Sequence, residues 1–160
     1  MKKVLMIVAV VATIIIISLT TGCLIQENIK LNKTKEEIIK FDEEYWKIYE
    51  EWGQPQIDGS KSHDDLISAI KKIQKDHSEY ILKFKSINIP KPLDEFYYKK
   101  IEQFNSYQMV LIKASNSETT AKELETLVKE TNELQLEANK IQRAVYREYG
   151  LDDLITKWQK

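Results

Sequence analysis

Apolar residues recur every three or four positions through four long stretches of this chain, and every helix-breaking residue lies between those stretches or at their ends. Gly22, Gly53, Pro55, Gly59, Pro90, Pro92 and Gly150 are all of its glycines and prolines. Breakers confined to seams mark the intervals as uninterrupted elements. An alternation of three and four places one apolar stripe along a helix. No segment alternates with period two between turn signals, so no sheet is expected.

The first stripe runs Leu31, Thr34, Ile38, Phe41, Tyr45, Ile48, Trp52. After a Gly53 to Lys61 loop, Ser62 is the expected N-cap of a second helix, with Asp64 and Asp65 in the first turn, where acids suit the positive end of the helix dipole. Its stripe is Leu66, Ile70, Ile73, His77, Tyr80, Phe84, Ile87, and it stops before Pro90. A third helix is expected from Pro92, since proline is tolerated in a first turn. Its apolar face is wide: Leu93, Phe96, Tyr97, Ile101, Phe104, Tyr107, Leu111 and Ala114. Ser117 is the expected cap of a fourth helix carrying Leu124, Leu127, Thr131, Leu134, Ala138, Ile141, Val145 and Tyr149. Gly150 suits the left-handed position that ends it, and Leu151, Leu154, Ile155 and Trp158 repeat helical spacing once more.

The expected fold is therefore all-α: an antiparallel up-down-up-down four-helix bundle over residues 31–160, with a short C-terminal fifth helix. Four such stripes joined by short loops favour crossing angles of about +20°. A long coiled-coil dimer or an open helical repeat is the alternative. A chain of 160 residues suits one domain.

Ahead of the bundle, Lys2 and Lys3 precede an apolar run from Val4 to Leu19, followed by Thr20, Thr21, Gly22 and Cys23. Charged, apolar and small-residue sections in that order read as an export signal. Sixteen residues make about 24 Å of helix against a hydrocarbon core of about 30 Å, short for a permanent span. The expected division is a signal peptide or signal-anchor helix over 1–22, a tether over 23–30, then the bundle. Two lysines before the run place the C-terminal part of the chain outside the cytoplasm.

Thr21, Gly22 and Cys23 resemble the lipobox of bacterial and archaeal lipoprotein precursors, with Thr20 where that pattern prefers leucine. The resemblance implies lipidation at Cys23, a lipid-anchored cell-membrane location and the membrane as partner. An uncleaved signal anchor is the alternative. The stretch Phe84-Lys85-Ser86-Ile87-Asn88-Ile89-Pro90-Lys91-Pro92-Leu93-Asp94-Glu95-Phe96-Tyr97-Tyr98 also looks like a broad set of small uncharacterised prokaryotic lipoproteins, which adds a helical extracytoplasmic domain and no activity.

Several kinds of chemistry find no footing. Net charge is −1, with Lys and Glu interspersed, so the clustered basic face of a nucleic-acid binder is missing. One cysteine excludes an intramolecular disulfide and a zinc site built on several thiolates. The residues three before His63 and His77 are Ser60 and Gln74, so the Glu-x-x-His pairs of a di-iron bundle are absent. There is no Gly-rich phosphate loop and no nucleophile in a strand-to-helix turn. No cofactor, no metal and no catalytic residue is expected.

What remains are weaker constellations. Glu36-Glu37, Glu43-Glu44 and Glu50-Glu51 form an acidic ribbon, read as solvated positions whose ion pairs contribute about 0.2–1 kcal/mol each. The sequon at Asn32 is read as an unmodified surface triplet. His77 sits on the inner stripe and is expected at the bundle margin, bonded to water or a tyrosine. Tyr45, Trp46, Tyr49 and Trp52 crowd one stretch, with Trp46 and Tyr49 off the stripe. Together with His77 they are the candidate contacts for a ligand or a protein partner, because aromatic groups with polar tips build both pockets and interface anchors. The expected function is a membrane-anchored, non-enzymatic interaction or structural module. The alternative is a small-molecule-binding or sensor bundle with an aromatic pocket, and continuous packing or a cavity of several hundred Å³ separates the two.

Overall fold

The computed structural model describes residues 2–53, 55, 62–116 and 118–157, with the side chains of 2–25 and 157 outside the description. The helices are α1 Lys2–Trp52, α2 His63–Ser86, α3 Asp94–Ala114, α4 Ala121–Glu148 and α5 Asp152–Lys157, with a 3-10 turn at Lys91–Leu93 ahead of α3. No strand occurs among the described residues. The all-α expectation of four long helices and a short fifth is met.

The chain divides into two compact units, Met1–Glu37 and Ile38–Lys160. In the first, the backbone stays helical through Gly22 and through residues 23–30, expected as a tether. A single glycine costs a helix only about 1 kcal/mol, and no proline interrupts the stretch. The expected anchor helix requires correction. Among the described residues no helix is long and apolar enough to cross a membrane. The 16-residue apolar run already falls short of a bilayer core.

In the second unit the helices alternate in direction. Tyr45 meets Phe84 while Trp52 meets His77, which runs α1 against α2. Phe84 stacks on Tyr97 while His77 meets Tyr107, and Lys100 bonds Gln135 while Ser106 bonds Thr131, so α3 opposes both α2 and α4. Gly150, at φ 65°, turns the chain, and the Leu151 amide donates back to the Tyr146 carbonyl at 2.8 Å, closing α4. Ile155 of α5 then reaches the core.

Spacing between helices follows side-chain size. Ala138 and the Ser106–Thr131 hydroxyl pair, 2.6 Å apart, let α3 and α4 approach most closely. No similarly close backbone approach joins α1 to the others among the described residues. Instead Phe41 and Tyr45 reach across, their rings 5.4–6.0 Å from those of Phe84 and Phe96. Burial of the first stripe begins at Ile38, and Leu31, expected at its head, is exposed.

The caps agree in part. The Ser62 hydroxyl accepts from the Asp65 amide as expected. The fourth helix is capped by Thr120 instead of Ser117, which lies outside the described residues. Thr120 forms a reciprocal capping box with Glu123, which satisfies two free amides at once.

One buried polar chain ties α1 to α4. Gln142 donates to the Tyr146 hydroxyl at 2.9 Å, and that hydroxyl donates to Asp42 Oδ1 at 2.7 Å. All three residues are buried. A hydrogen bond to a charged group contributes about 1.5–3 kcal/mol. Tyr146→Phe is therefore expected to lower stability by about 2 kcal/mol in urea unfolding, whereas Tyr98→Ala, at a residue 67% exposed, should change it by less than about 0.5 kcal/mol.

Candidate ligand-binding cleft

Because large rings hold α1 away from the α3–α4 pair, the middle of the second unit is not filled. A cleft of about 570 Å³ remains, within the usual size of small-molecule sites. Tyr45, Tyr49 and Trp52 follow each other at four and three residues on one face of α1, with Trp46 beside them. These four residues and His77 and Tyr80 from α2 form an aromatic wall. Opposite, α3 supplies Lys100, Gln103, Phe104 and Tyr107, and α4 supplies Gln135, Asn139, Gln142, Arg143 and Tyr146. Pro55 and Ile155 complete the lining.

The rings of the aromatic wall pack on one another. Trp52 stacks on Tyr80 with centroids 5.0 Å apart and meets His77 at 5.4 Å. Trp46 stands edge-on to Tyr49 at 5.4 Å. Tyr45 and Tyr80 share a hydrogen bond, and burial pushes both hydroxyls up.

His77 is fully buried, where a position at the bundle margin was expected. Its Nδ1 lies 2.8 Å from Gln108 Oε1. Gln108 Nε2 must donate, because one of its partners is the Gln74 carbonyl at 3.2 Å, so Oε1 accepts from His77 Nδ1–H. Burial lowers the imidazole below its usual range, and the Gln108 bond offsets this only in part. The ring is neutral at pH 7.

The opposite wall is polar and basic. Lys100 is 4% exposed. Its Nζ donates to Gln135 Oε1 at 2.6 Å and lies 5.3 Å from the Phe104 ring centroid. Gln135 passes the chain on, donating to Asn139 Oδ1 at 2.7 Å. Among the described residues no carboxylate pairs with Lys100, although its neighbour Lys99 pairs with both Glu102 and Glu137. Burial pushes the Lys100 ammonium down to about 7. Two further groups at the wall, Trp52 Nε1 and Gln103 Oε1, are shut off from solvent with no hydrogen-bond partner.

Tyr45, Trp46, Tyr49, Trp52 and His77 thus all line one cleft. The side chain of Cys23 lies outside the described residues. Lys100, Gln103, Gln135, Gln142 and Tyr146 were not anticipated. Lys100 stands four residues from both Phe96 and Phe104, and Gln135 and Gln142 stand four after Thr131 and Ala138. Polar residues at inward positions were the available signal. The glutamate ribbon stays toward solvent, with Lys40–Glu44 and Lys83–Glu51 as exposed pairs. Among the described residues no group of three or more His, Cys, Asp or Glu is placed to hold a metal ion.

No family model, curated protein or solved structure matches the chain. The expected kinship with small prokaryotic lipoproteins is overturned on that ground. The membrane-anchored interaction module falls with it, as do the membrane as partner and a lipid-anchored location outside the cytoplasm, because no described helix is long and apolar enough to cross a bilayer.

Lys100 carries a sign that can be checked. Its folded value near 7 lies below the ordinary 10.5, so the unfolded chain binds more protons between those values and stability rises with pH across that window. From pH 7 to 9 the wild type should gain about 2 kcal/mol relative to Lys100→Met in urea unfolding. Parallel pH profiles for the two proteins would show that the lysine is solvated instead.

Proposed function

We propose that the second unit is a small-molecule-binding module with no ensuing reaction, whose ligand lies in the cleft against Tyr49, Trp52 and His77. The observation that carries this reading is an unfilled cleft of about 570 Å³ with aromatic rings on one wall and Lys100, Gln135, Asn139 and Arg143 on the other. Simple scaffolds pack continuously, with few voids larger than a water molecule. Pre-stacked aromatic rings supply a surface that loses little side-chain entropy when a planar group docks on it.

Isothermal titration with indole, a neutral planar probe, tests the proposal. One indole per chain is expected, with affinity at least about tenfold weaker in Asn139→Phe, which fills the cleft from α4 and leaves the aromatic wall untouched. Absence of binding, or binding indifferent to the filled cleft, contradicts the reading.

A further inference from the structure

The cleft is selective by charge as well as by shape. Its lining holds two cations, Lys100 and Arg143, and no carboxylate among the described residues, in a chain with 25 acidic and 24 basic residues. A lysine shut in without a counter-ion is costly, because desolvation of an ammonium is repaid only by a close opposite charge or a full set of hydrogen bonds. Lys100 has one strong acceptor, the amide of Gln135, for three N–H donors. Lys99, one residue earlier and facing α4 from outside the cleft, has two carboxylates. The missing partner is therefore specific to the inward position.

We propose that the ligand is an aromatic carboxylic acid, its carboxylate paired with Lys100 and its ring laid against Tyr49 and Trp52. This rests on the cleft reading above. The ammonium recovers its lost hydration in a charge-assisted hydrogen bond, which is roughly twice as strong as a neutral one.

The pairing has a pH signature that no other group at the site imitates. From α1, Tyr45 and Tyr49 face the cleft, and from α2, His77 and Tyr80; Tyr107 belongs to α3, and Tyr146 and Arg143 to α4. Burial raises all five tyrosines above 10. It lowers His77 below 6.5. Asp42, behind Tyr146, is not part of the lining. Lys100 alone titrates between pH 7 and 9 at this site, and a bound carboxylate draws the proton back onto it.

The test compares indole-3-acetate with indole-3-acetamide, which share a ring system and differ in charge, by isothermal titration. At pH 6 the acid should bind the wild type at least about tenfold more tightly than the amide. Its affinity should fall close to tenfold from pH 7.5 to 8.5, while that of the amide stays flat. Heats in two buffers of different ionisation enthalpy should show nearly one proton taken up with the acid at pH 8 and none with the amide. Lys100→Met should bring the acid down to the amide and remove the pH dependence, and the proton count in the wild type stands whether or not that variant folds. Equal binding of acid and amide at every pH overturns the carboxylate and leaves the cleft reading intact. Binding of neither overturns both.

Discussion

The packing of α1 on its neighbours through rings, in place of close backbone contact, is the feature on which the rest of the molecule depends. Phe41 and Tyr45 span the distance to Phe84 and Phe96, while Ala138 and a pair of small hydroxyl side chains let α3 and α4 draw together. A helical unit spaced unevenly cannot fill its middle with side chains of ordinary length. The result is a cleft, with Asp42 and Tyr146 bridging α1 and α4 beside it. The bridge adds direction to a contact that rings alone would leave free to slide.

The cleft then sets the electrostatics. A lysine at the position of Lys100 on an exposed face would be an ordinary surface charge. Behind Phe104 and Gln135 it becomes a group whose protonation is poised near neutrality. Burying a charge without a partner is among the costlier things a protein can do, and one partial amide dipole is a weak return for it. An occupant carrying the opposite charge resolves that imbalance, which makes the same residue a cost in the free protein and a source of selectivity in the complex.

Much of this fold was legible in the sequence, for physical reasons that can be named. Breakers at the seams and three-four stripes reported α2, α3 and α4 directly, Ser62 and Gly150 marked two ends, and the four aromatic residues singled out by crowding share one space with His77, singled out by its place on the second stripe. Periodicity says which face of a helix turns inward but not how far apart two helices stand, since that depends on which side chains meet across the gap. The width of the cleft was hidden for that reason. Lys100 was passed over because a charge between Phe96 and Phe104 reads as an interruption of a stripe, when it was a member of it. His77 was placed at the margin because its partner, Gln108, lies 31 residues away on α3. At the N-terminus the order of charge, apolar run and small residues suggested an address and an anchor. The helix continues unbroken through Gly22 to Trp52, and no described helix is apolar and long enough to span a bilayer.

One lysine inside an aromatic cleft, with no counter-charge among the described residues, is the feature that ties fold to binding, and NMR of the protein with 13C at the lysine ε-carbons follows that group directly. One lysine signal, lost on Lys100→Met, should titrate near pH 7. A spectrum in which every lysine titrates together above pH 10 would contradict it.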